Sequence, residues 1–141
     1  MGFFTNLRSD RLIQQIKSTN EPLSEETLKS VAKLKGLGPG VIPPVIQALA
    51  DADKNATVAL VDILSTLVSN KTFPQFVEGL CDGGPRISAG IAWALTSSRA
   101  YTPGLLLEAL NVNGISKSAL MDVIQAQRDR FNLRELLKAA Y

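Results

Sequence analysis

The chain has 141 residues, 45% of them hydrophobic, the length and apolar content of one domain with a continuous core. Its 15 Lys and Arg against 13 Asp and Glu leave a net charge of +2, so no global field draws it to nucleic acid or an anionic membrane. With no His and a single Cys, Cys81, it lacks the usual transition-metal ligands and the commonest neutral-pH general base, and it cannot close a disulfide within itself. A cytoplasmic protein with no metal, no cofactor and no catalytic centre is expected. No apolar run approaches the roughly 20 residues that span a bilayer, and Met1 to Phe4 does not open a secretion signal.

In chain order, Phe3, Phe4 and Leu7 lead into a predicted helix over Ser9 to Lys17, with Leu12, Ile13 and Ile16 on one face. Those three leading residues are expected to pack as an N-terminal cap. Ser24 is the predicted N-cap of the next helix, with Glu25 and Glu26 in its positive first turn and Leu23 spaced to staple against Leu28. Val31 and Leu34 continue that helix until KGLGPG, Lys35 to Gly40, breaks it. A further helix begins with VIPPVIQALA at Val41 and ends near Asp51.

From there a period is visible. VALVDILSTL at Val58, SAGIAWALTS at Ser88 and SALMDVIQAQ at Ser118 start 30 residues apart. In that register Ala59, Ala89 and Ala119 align, as do Val61, Ile91 and Met121, then Ile63, Trp93 and Val123, then Leu64, Ala94 and Ile124. Trp93 is therefore expected in or near the core. A second helix follows each: Thr72, Thr102 and Asn132 are the predicted N-caps, followed by Phe76, Leu106 and Leu136 and by Val77, Leu107 and Leu137. Tyr101 with Leu106, and Phe131 with Leu136, have staple spacing, and Pro103 suits the first helical position. Upstream, Pro43 and Leu49 precede Pro74 and Leu80 by 31 residues, one more than the period downstream. GLGPG and DGG follow no buried strand, so they read as turns and helix stops rather than phosphate loops.

The expected architecture is all-α: a right-handed α-solenoid of four stacked helical hairpins, residues 24–55, 56–85, 86–115 and 116–141, behind an N-terminal helix and cap in residues 1–23. The strings LADADKNATVALVDIL from Leu49 and LCDGGPRISAGIAWAL from Leu80 carry a resemblance. Each has a Leu ending one unit, an Asp in the turn and a small-residue helix opening the next. In this the chain resembles the short HEAT-like repeats of bacterial proteins, a type of armadillo-like fold found also in phycobilin lyases. The resemblance implies an Arg early in each first helix, knitting neighbouring turns; this chain has Thr57 and Ser118 near those places and only Arg86 nearby.

Function in such a repeat resides in its surface. Gln47, Glu78, Glu108 and Lys138 hold one repeated position on the second helices and form the expected binding ridge for a protein or peptide. The turns within hairpins hold Lys33, Lys35, Lys71, Arg99, Arg128 and Arg130, and those between hairpins hold Asp51, Asp53 and Asp82. One edge should thus be basic. The alternative to a protein scaffold is a nucleic-acid-binding solenoid contacting phosphates through Lys35, Lys71, Arg99, Arg128 and Arg130. A base-modifying enzyme would need Trp93 in an exposed cleft beside a carboxylate such as Asp62 or Asp122, and this is the lesser expectation. Cys81 has no flanking base and reads as a bland thiol. Leu136, Leu137 and Ala140 near the last residue call for cover by a partner or, as the preferred reading, a longer parent chain, with self-association as the alternative.

Overall fold

The computed structural model describes residues 3–18 and 24–131. Among them are eight α-helices and no strand: α1 (Phe3–Ser18), α2 (Glu25–Leu37), α3 (Ile42–Ala48), α4 (Lys54–Leu67), α5 (Phe73–Asp82), α6 (Gly84–Ser97), α7 (Gly104–Ala109) and α8 (Lys117–Ala126). No helix among these residues is long and apolar enough to cross a membrane. Leu23, Asn132, Leu136, Leu137, Lys138 and Ala140 lie outside the described residues, and so do the side chains of Phe3, Phe4 and Leu7.

The helix ends follow from local chemistry. Ser24 caps α2 by accepting a hydrogen bond from the Thr27 amide, and Asp53 caps α4 by accepting one from the Ala56 amide at 2.8 Å. α2 runs through Lys35 to Leu37, past the expected break. It stops where Gly38 takes φ +83, a left-handed conformation suited to glycine, and donates its N–H to the Lys35 carbonyl. A single 3-10 turn, Pro39–Val41, then leads into α3. Thr72 precedes α5 but does not cap it through its side chain. Its Oγ accepts from the Ser69 amide and donates to the Leu67 carbonyl, both at 2.8 Å, closing the turn between α4 and α5 instead. α7 begins at Gly104, one residue later than Pro103 suggested.

Five helices carry the packing. α2 lies against α1 and α4, α4 against α6, and α6 against α8, while α3 packs on α4 and α6, α5 on α6, and α7 on α8. Each of the first four buries residues at i, i+3, i+4 and i+7, the stripe that faces a core. These are Ser9, Leu12, Ile13 and Ile16 in α1, Thr27, Ser30, Val31 and Leu34 in α2, Ala56, Ala59, Leu60 and Ile63 in α4, and Ile87, Gly90, Ile91 and Ala94 in α6. In α8 the stripe is Ala119, Leu120, Val123 and Ile124.

These stripes correct the expected register. From α4 to α6 equivalent positions are 31 residues apart (Leu60 to Ile91), and from α6 to α8 they are 29 apart (Ile91 to Leu120), which sum to twice the period read from the sequence. One residue turns a helix by about 100°, so α6 is rotated relative to the string alignment. Ala89 is exposed whereas Ala59 and Ala119 are buried, and Trp93 leaves the position of Ile63 and Val123 for that of Asp62 and Asp122. Trp93 is 47% exposed and is not a core residue. α6 starts almost directly after α5, at Gly84 with φ +78.

Small residues set how closely the helices approach. A Cβ built on Gly90 would sit 2.6 Å from Cδ1 of Leu49, and one on Gly79 would sit 2.5 Å from Cδ1 of Ile91. Two stability measurements test this packing and register by urea denaturation. Trp93→Ala should cost at most about 1 kcal/mol, whereas Leu95→Ala, at a fully buried site, should cost about 2–5 kcal/mol. Gly90→Ala should cost about 1 kcal/mol net, overpacking against Leu49 exceeding the gain in helix propensity, and should cost less in a Leu49→Ala background.

Candidate interaction surface

The rotation of α6 builds a surface that the string alignment hides. Leu28 on α2, Val58 on α4 and Trp93 on α6 are 51%, 40% and 47% exposed. All three line one open groove of about 360 Å³, floored by Val31, Ala59 and Val61 and edged by Asp62, Ser65 and Ser97. Single exposed apolar residues are ordinary, but large ones gathered in one depression mark a contact surface. At the groove's edge Lys35 Nζ pairs with Asp62 Oδ2 at 3.0 Å, bridging α2 to α4. The sequence carried no separate signal for this site: the count that places Trp93 with Asp62 and Asp122 runs from buried stripe to buried stripe, and burial is set by the packing.

The expected ridge is partly assembled. Gln47, Glu78 and Glu108 are all exposed, and Gln47 and Glu78 line a shallow groove of about 170 Å³ with Pro43, Ile46 and Gln75. Glu108 on α7 does not line it, and Lys138 lies outside the described residues.

The basic residues have largely found partners within the fold. Lys35 pairs with Asp62, and Arg99 pairs with Asp129 at 3.0 Å. Arg130 donates to the Tyr101 carbonyl and, at 2.9 Å, to Gln127 Oε1, while its guanidinium lies 5.0 Å from the centre of the Tyr101 ring. Lys71 and Arg128 are exposed with no ion pair among the described residues. On the other side, Lys17 pairs with Asp51, and that hydrogen bond and charge hold the Asp51 carboxyl below its usual range. Arg86 reaches back to the Ala52 carbonyl at 3.3 Å and so ties α6 to the turn before α4.

Arg130 belongs to a buried polar knot that joins α8 to α6. Gln127 is 1% exposed, and the two hydrogens of its Nε2 are shared among the carbonyls of Leu95, Thr96 and Ser98 at 2.9, 2.9 and 2.7 Å. These carbonyls end α6, so the amide of the following unit caps it. Tyr101 Oη lies 2.8 Å from both the Leu95 carbonyl and Gln127 Oε1, and its single proton serves one of them at a time. The Tyr101 ring packs 5.4 Å from that of Phe73. Burial, only partly offset by the Arg130 charge, pushes the Tyr101 hydroxyl up to about 12.

Half-buried Cys81 directs its Sγ toward the Asn113 carbonyl at 3.8 Å, and no cluster of three or more His, Cys, Asp or Glu that could hold a metal occurs among the described residues. Comparison with protein-family models, curated proteins and solved structures finds no match.

The knot predicts a pH dependence. Because the folded pKa of Tyr101 lies above the ordinary value of 10.0, its contribution is complete below pH 10 and lost as the pH rises through about 12. Melting temperature measured between these limits should fall less steeply for Tyr101→Phe than for the unaltered chain. At neutral pH Gln127→Leu should lose about 2–3 kcal/mol, since the Thr96 and Ser98 carbonyls lose this side-chain donor, while that of Leu95 keeps the Tyr101 hydroxyl and the Ser98 amide.

Proposed function

We propose that this chain is a non-catalytic protein-interaction module built as a HEAT-like α-solenoid, and that it engages its partner through the outward face of α2, α4 and α6. The observation that carries the reading is the gathering of Leu28, Val58 and Trp93 in one groove while the rest of the large apolar side chains, apart from Val112, are at least partly covered among the described residues. Support for the repeat comes from the same buried stripe recurring on successive contacting helices, and from Arg86 holding the carbonyl of the preceding turn, the role the resemblance assigns to such an arginine.

The apolar groove is favoured over the ridge because Gln47 and Glu78 offer charge and amide groups without a desolvated anchor, whereas interface energy concentrates in aromatic and large apolar side chains. It is favoured over a phosphate-binding edge because Lys35, Arg99 and Arg130 already hold carboxylates or carbonyls. A base-modifying reading gains an exposed Trp93 beside Asp62, yet offers no enclosed pocket for an extruded base.

The test is affinity capture from a cell extract with matched baits. A protein retained by the unaltered chain should be lost with Trp93→Ser plus Val58→Ser and kept with Glu78→Lys plus Glu108→Lys; the reverse pattern would return the site to the ridge. A gel-shift titration with duplex DNA and RNA should show no binding that weakens steeply with salt.

A further inference from the structure

On the stripe-to-stripe register, Asp62 of α4, Trp93 of α6 and Asp122 of α8 occupy equivalent outward positions on three successive contacting helices. Trp93 therefore stands on the helix between the two that carry these carboxylates. Asp62 lines the apolar groove together with Trp93, and Asp122 lines the neighbouring groove with Ala89 and Ala92, the latter next to Trp93 in the chain. All three side chains are exposed. Asp62 keeps one carboxylate oxygen unpartnered among the described residues, its other being taken by Lys35, and Asp122 has no hydrogen-bond or ion-pair partner among them.

The charge pattern selects the occupant. An aromatic face attracts a cation, guanidinium most often, because of the negative charge on the face of its π-system. A carboxylate in the same groove, Asp62, and a second on the far neighbouring helix, Asp122, deepen that preference and disfavour an acidic side chain there. Away from Trp93 the groove turns apolar, toward Leu28, Val31 and Val58. A segment crossing α2, α4 and α6 spans two interhelix spacings, about 20 Å in all, equal to roughly six residues of extended chain.

We infer that the groove takes an extended peptide segment of a partner protein in which an arginine stacks on Trp93 between Asp62 and Asp122 and apolar side chains about four residues away fill the Leu28–Val58 end. This rests on the interaction-module reading and specifies its partner's chemistry. Lys35 acts as a competitor, because its ammonium already neutralises part of Asp62.

Trp93 is the one tryptophan of the chain, so its fluorescence reports the site directly. The probes are the blocked peptides Ac-LSLSSR-NH2 and Ac-RSSLSL-NH2, which cover both directions along the groove, and their counterparts with citrulline, a neutral isostere, replacing arginine. One arginine peptide should give a saturable change, with its citrulline counterpart at least about threefold weaker. That gap should shrink in Asp62→Asn plus Asp122→Asn and with added salt, and should widen in Lys35→Ala, where Asp62 is freed. Both aspartates and Lys35 are at the surface, so circular dichroism should show these variants folded. No saturable change with either arginine peptide up to about 5 mM, equal binding of the citrulline form, or weaker binding in Lys35→Ala would each overturn the inference. If those outcomes occur while Trp93→Ser still abolishes capture from extract, the surface stands and only the partner's chemistry is wrong. If capture is indifferent to Trp93 as well, the interaction reading itself falls.

Discussion

Everything in this fold depends on how closely successive first helices can approach. At the second position of the buried stripe stand Ser30, Ala59, Gly90 and Ala119, small residues on four contacting helices, and the larger members of each stripe fill the space this leaves. Leu49, just past α3, lies over Gly90, and Leu80 from α5 lines the same groove as Ala119. None of these short amphipathic helices could bury its stripe alone; α3 and α7 are only seven and six residues long and are held by packing, not by propensity.

The same constraint explains why polar side chains gather at the helix ends. Carbonyls at helix ends and in turns receive hydrogen bonds from residues about 30 positions further along the chain. Gln127 covers the end of α6, the Ser116 amide donates to the Leu80 carbonyl at 3.1 Å, and Arg86 reaches Ala52. Asn70 and Thr102 link adjacent turns through two hydrogen bonds, one of them from the Thr102 amide to Asn70 Oδ1 at 2.7 Å. No buried side-chain nitrogen or oxygen among the described residues lacks a partner. Of the basic residues near the turns, Lys35, Arg99 and Arg130 are engaged with carboxylates or carbonyls, and Lys71 and Arg128 are exposed with no ion pair among the described residues.

Turning a helix by one residue, about 100°, brings different side chains to its outward side, so a small irregularity between successive helices can create a surface. The Gly83–Gly84 junction is such an irregularity. α6 after it buries Ile87, Gly90, Ile91 and Ala94 and turns Trp93 outward, into the groove with Val58 and Leu28. The unit that departs from strict periodicity thus carries the aromatic anchor of the candidate surface.

The sequence alone determined the helical class, the approximate ends of several helices and the cap at Ser24, because these follow from local periodicity and from side chains within one turn of the backbone they bond. It also placed Gln47, Glu78 and Glu108 at one outward position. Only the tertiary structure decided the phase of α6, the exposure of Trp93, Leu28 and Val58, and the partners of Arg99, Arg130 and Gln127. A helix's phase is set by its neighbours: Ala89 and Trp93 fit the apolar string as well as Gly90 and Ala94 do, and it is Leu49, needing a site without a Cβ, that chooses between them.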